Sequence, residues 1–153
     1  MQRGFGLIEI LIGAAILATT VWSIAGYYQQ ALKVSQSTGQ VMQASFLLEE
    51  GIEVAQFFRD GSWSNISGMA AGTPYYLVWS GTAWATSTTP SMIDGTFTRS
   101  IVASDVYRNG SDDITTSGGT LDAGTREITA TVIWQDHGTT VSRSLSAYLA
   151  NIF

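Results

Sequence analysis

The chain has 153 residues, a formal net charge of −5, 12 % charged and 45 % hydrophobic residues, and no cysteine. A surface of that sign repels phosphate, and the seven Lys and Arg are scattered, so a nucleic-acid partner is disfavoured. Without cysteine there is no thiol catalysis, no cysteine metal site and no disulfide. So low a charged fraction suits an anchored or assembled protein better than a freely soluble one.

The first element is apolar. From Gly4 to Leu32 the one charged side chain is Glu9. An apolar run of roughly 20 residues is long enough to cross a bilayer as a helix. A carboxylate in such a run is costly, roughly 2.5 to 3.5 kcal/mol for a charge at the centre of a span. A charge kept there calls for a function and a partner. The expected partner is the α-amine of Phe5 on a neighbouring copy, freed by cutting after Gly4. Two plainer readings compete. In the first, Arg3 and the apolar run form a secretory signal peptide, cut after the small-x-small segment Ser23-Ile24-Ala25. The second is a simple membrane anchor, which leaves Glu9 without a role.

Met1-Gln2-Arg3-Gly4, then Phe5, with Glu9 fifth after the junction and an apolar helix beyond, resembles the start of a type IV prepilin or type II secretion pseudopilin. Gly6 departs from that pattern, which usually has Thr or Ser there. The resemblance implies a leader over 1–4, a membrane-spanning and filament-core helix over 5–32, and a globular head over 33–153. It implies cleavage between Gly4 and Phe5, N-methylation of Phe5, and a role for Glu9 in assembly. Implied partners are other pilin or pseudopilin subunits, a prepilin peptidase, an inner-membrane assembly platform and the lipid bilayer. The implied place is the inner membrane, as a single-pass precursor with its C-terminal domain outside, then an extracellular or periplasmic filament. The implied architecture is the α+β pilin fold, a long N-terminal helix on a C-terminal antiparallel sheet.

The helix itself is expected from Phe5 to about Arg59, roughly 80 Å long at about 1.5 Å per residue. Gly13, Ala14 and Ala18 are small residues at a spacing that lets helices approach closely. Gly26 is the nearest substitute for the helix-loosening Pro of many major pilins, since the two prolines are Pro74 and Pro90. Beyond Leu32 the pattern turns amphipathic. Val41, Ala44, Leu48, Ile52 and Ala55 recur at three- and four-residue steps, flanked by Leu47, Gly51 and Phe58, and should pack on a sheet. Glu49, Glu50 and Glu53 form a flank that is either solvated or turned to a basic partner. Asp60-Gly61-Ser62 should end the helix with Gly61 as a left-handed cap. Leu47 to Glu53 together with Phe58 to Trp63 resembles the helix exit of minor pilins and minor pseudopilins.

Strands are expected at 75–80 and 83–86, around the turn Ser80-Gly81-Thr82, and at 97–103. Glu127 to Trp134 places Ile128, Ala130, Val132 and Trp134 on one face. Val141 to Leu149 places Val141, Leu145, Ala147 and Leu149 on one face, with Arg143 among them near the sheet end. Gln135 to Thr140 joins these two as a hairpin. A helix followed by hairpins is an α+β order with an antiparallel sheet, one face dry and one wetter.

Chemistry-bearing clusters are few. Residues 105–124 read as a long loop carrying Asp105, Asn109, Asp112, Asp113 and Asp122. Calcium takes six to eight oxygens, so Asp105, Asp112, Asp113 and Asp122 are weak calcium candidates, although the spacing fits no EF-hand. No other metal or cofactor is expected. His137 is the one histidine and lies in a turn, without the partners of a zinc site or triad. The chain reads as a non-enzyme on which other proteins act. Trp63, Trp79 and Trp84 are either core or an aromatic interface. A binding subunit at a filament tip, an adhesin or DNA-uptake minor pilin, is the second functional reading.

Overall fold

The computed structural model describes residues 5–152. The first element, α1 (Phe5–Gly61), is a single helix of 57 residues. No proline interrupts it, and Gly26 leaves it unbroken. The chain divides into two compact units, one up to Val41 and one from Met42 onward.

In the first unit the helix is apolar on nearly every side as far as Tyr28. Leu7, Ile8, Ile10, Leu11, Ile16, Leu17, Val21 and Trp22 are all exposed. Each aliphatic side chain of that size left in water forgoes about 1.5 to 3 kcal/mol of burial. The helix is long and apolar enough to cross a membrane, which makes it compatible with a membrane anchor.

The second unit is α+β, the rest of α1 packed on a seven-stranded antiparallel sheet, an architecture consistent with the pilin-like fold. After the short helix α2 (Ser64–Ser67) come β1 (Pro74–Trp79), β2 (Trp84–Ser87), β3 (Met92–Ile93) and β4 (Phe97–Arg108). Then follow β5 (Ile114–Thr115), β6 (Thr120–Asp136) and β7 (Thr139–Ala150). The main order is β2-β1-β4-β6-β7. One edge of β4 is held by β6, and the other is shared by β3, β1 and β5 in turn.

The core lies between this sheet and one stripe of α1. Ala44, Leu48, Ile52, Val54 and Ala55 meet Phe97, Ile101 and Ala103 of β4 and Ile128, Ala130, Val132 and Trp134 of β6. The period of two in the strands and of 3.6 in the helix bring these residues together. Gly51 sits at a close approach: a Cβ there would come within 3.1 Å of the Ala130 Cβ. On the far face of β6, Thr129 and Thr131 are half-buried and Ile133 is exposed, so that face is wetter.

Several expectations need correction. Val41 is 43 % exposed, so the buried stripe begins at Ala44. Gly61 is the last residue of α1 and is not in the left-handed region. The helix is instead closed by Asn65, whose Nδ2 donates to the Phe58 carbonyl at 3.0 Å. The strands at 97–103 and 127–134 are both longer than their apolar runs. Partner strands satisfy the backbone past the last apolar residue, so β4 reaches Arg108 and β6 starts at Thr120. Arg143 is not near the sheet end: it pairs with Val132, within the edge strand β7. Leu145, on the same face, is 41 % exposed because nothing covers β7 at that point. The β6–β7 turn carries His137 at φ 48 and Gly138 at φ 83, a two-residue left-handed turn that matches the twist of its strands.

Candidate functional site

The N-terminal residues expected to act together are placed by helix geometry alone. Gly4 lies outside the described residues, and Phe5 begins α1. Glu9 stands one turn further on and is exposed, and none of the described ion pairs includes it. Glu9 is thus an exposed carboxylate on an otherwise apolar stretch of helix, one turn from Phe5.

The acidic segment is not one loop. Asp105 belongs to β4 and Asp122 to β6, and only 109–119, apart from the two-residue β5, lies outside the two long strands. A register shift between Asp105 and Val106 takes up Ala123 to Thr125 as a bulge, which turns Asp122 toward Arg108. The Arg108 Nε donates to Asp122 Oδ2 at 2.7 Å. The Asp122 carboxylate also accepts the Gly124 N–H at 2.9 Å. These bonds, the one from Arg108 first, hold the Asp122 carboxyl at about 2, well below the usual carboxylate range. The Arg108 guanidinium is raised in turn, chiefly by the same bond. Asp105 is ion-paired with Arg126, whose guanidinium also donates to the Ser67 carbonyl at 3.0 Å and so ties α2 to the sheet. Asp112 is exposed and lies 3.7 Å from Arg108. Asn109 Oδ1 accepts the Ser111 and Asp113 N–H groups at 2.9 and 3.0 Å, shaping the tip. Asp122 and Asp112 thus both turn to Arg108, whereas Asp105 turns to Arg126. Among the described residues no three metal-ligating side chains converge.

A feature the sequence reading did not single out is Arg99. It follows the inward alternation of Phe97, Ile101 and Ala103, and is 3 % exposed. Its guanidinium pairs with Glu50 of α1, donates to the Leu47 carbonyl at 3.4 Å and lies 5.3 Å from the Trp84 ring centre. Its Nε has no hydrogen-bond partner. The signal was present as a charge at a core parity within an apolar strand. The basic partner of Glu50 is therefore in its own chain, while Glu49 and Glu53 are exposed.

Beside this pair opens a cleft of ≈ 610 Å³ lined by Glu50, Glu53, Val54, Phe57, Trp79, Thr82, Ala83 and Trp84. Trp79 is 53 % and Phe57 62 % exposed. The Trp79 and Trp84 rings are tilted together at 5.3 Å. Trp63 is half-buried against the core. His137 is exposed and bonded through Nδ1 to Asp136 at 2.6 Å. Comparison with family models, curated proteins and solved structures finds no match to this chain.

Proposed function

We propose that the chain is a structural subunit of a type IV pilus or type II secretion pseudopilus, of the minor kind. The observation that carries this reading is Glu9, an exposed carboxylate fifth after the Gly4–Phe5 junction on an otherwise apolar helix. The precursor inserts once in the inner membrane with its head outside. A prepilin peptidase cuts between Gly4 and Phe5 and methylates the new amine, which keeps its positive charge. The assembly platform then draws the subunit into a bundle of such helices. There an unpaired carboxylate is costly, and the Phe5 amine of a neighbouring copy removes that cost. The pairing sets the register of each added subunit. In this reading the chain catalyses nothing and needs no metal.

The test is the N-terminus of the chain extracted from membranes. Mass spectrometry should find N-methylated Phe5 as the first residue. A chain starting at Gly26 marks a cleaved signal peptide, and one starting at Met1 an unprocessed anchor; either removes the basis for the filament. The exposed Trp79 and Phe57 favour the second reading, a binding subunit at the filament tip. Its presence along the whole length of sheared filaments would argue against that.

A further inference from the structure

Two flanks of one sheet face are left open beside α1, and they differ in charge. At the β1–β2 edge is the acidic aromatic cleft. There the Glu50 carboxylate is taken by Arg99, whereas Glu53 is exposed and in no described ion pair. At the opposite edge β7 presents Arg143 and Leu145. Their pairing with Val132 and Ala130, both fully buried, shows that they belong to the helix side of the sheet. Both are exposed all the same. From Met42 onward, Arg59, Arg99, Arg108 and Arg126 each have an ion pair among the described residues; Arg143 has none. One edge thus carries an unused cation beside an exposed aliphatic side chain. The other carries an unused carboxylate beside exposed rings.

We propose that the β7 edge of one copy docks into the acidic aromatic cleft of a second copy. The Arg143 guanidinium lies against the Trp79 or Phe57 face with its fork on the Glu53 carboxylate, and Leu145 covers the remaining ring surface. A guanidinium is suited to both contacts at once, being planar, weakly hydrated and always charged. The two surfaces are different and stand at opposite edges of the sheet. The contact is therefore heterologous: each copy that docks leaves its own cleft open for the next. Contacts of that kind generate helical filaments unless the rotation closes a ring. The proposal rests on the filament reading and adds a head-to-head contact to it. It also differs from a purely protective role for Arg143, in which a charge on an edge strand only blocks strand pairing.

Because the chain has no cysteine, introduced thiols report unambiguously. Full-length chains carrying Gln56→Cys, one turn from Glu53, are co-expressed in membranes with chains carrying Ser144→Cys and treated with a short bis-maleimide. Mixed 56–144 adducts should exceed 56–56 and 144–144 adducts. Arg143→Glu on the second chain should lower the mixed adduct about tenfold, and Glu53→Arg on the first should restore most of it, as coupled charges do. Equal yields of the three adducts overturn the proposal. So does a mixed yield that ignores Arg143→Glu, or a loss that Glu53→Arg does not repair, which is the result for a merely protective charge. Ala18→Cys in the apolar helix separates the two readings. Adducts at 18 without any at 56–144 overturn the head contact and leave the filament; 56–144 adducts without any at 18 do the reverse. No adduct at either place overturns both.

Discussion

The buried Arg99 allows a sharp test of how the head is held together. Glu50→Gln keeps the shape of the side chain and removes its charge, leaving the Arg99 guanidinium inside the protein with the Leu47 carbonyl and the Trp84 ring. Breaking a fully buried ion pair from one side costs about 3 to 5 kcal/mol. Here the Arg99 side chain is 2 % exposed but that of Glu50 is 40 %. Water already screens one partner, and the glutamine oxygen still accepts a bond, so the loss should be smaller, about 2 kcal/mol. For a domain of this size that lowers the melting temperature by roughly 10 °C. Arg99→Met removes the charge instead of stranding it and should be near neutral, because a well-packed apolar replacement of a buried ion often is. Thermal melting of the detergent-solubilised chain, followed by near-ultraviolet circular dichroism of the tryptophans, measures both. If Glu50→Gln melts with the parent while Arg99→Met unfolds early, the guanidinium is held by Trp84 and Leu47, and the account of the ion pair is wrong.

Leu48→Asp puts a carboxylate among the buried residues of the core and should cost several kcal/mol; a fragment from Lys33 onward carrying it should show no cooperative melt. An unchanged melt would mean that α1 packs elsewhere. The Asp122 carboxyl ionises near 2 when folded against 3.8 ordinarily, so its bond to Arg108 stabilises fully above about pH 4 and is lost as pH falls toward 2. Asp122→Asn should therefore be less stable at pH 7 and should lose less stability than the parent between pH 4 and 2 in acid titrations of the fold. Parallel titration curves would refute this. Glu9→Ala should leave membrane insertion intact or ease it while lowering incorporation into filaments, read as the ratio of sheared to membrane-bound chain; equal incorporation would discard the amine–carboxylate pair.

Local pattern alone carried much of this structure. The apolar run and the amphipathic pattern after it join into one helix, α1, since no proline lies between Phe5 and Gly61. The three- and four-residue spacing of Ala44, Leu48, Ile52 and Ala55 picks the face that meets the sheet. The alternation of Ile128, Ala130, Val132 and Trp134 fixes which side of β6 is dry. The lone charge of Glu9 in that run is a feature of sequence alone, since the fold leaves it exposed and in none of the described ion pairs.

Tertiary structure decided the rest, where a residue's role depends on what lies across from it. Asp105 and Asp122 look like parts of one loop until the bulge in β6 gives each its own arginine. Gly61 has the residue type of a helix cap, yet the side chain of Asn65 meets that need from the next turn of chain. Arg143 and Arg99 both fall on the inward side of their strands. Arg99 lies under α1 and is buried with Glu50, whereas Arg143 lies on the edge strand and stays in water. Parity along a strand is local and can be read from spacing. Strand order, and with it what covers each strand, is set by contacts far apart in the chain.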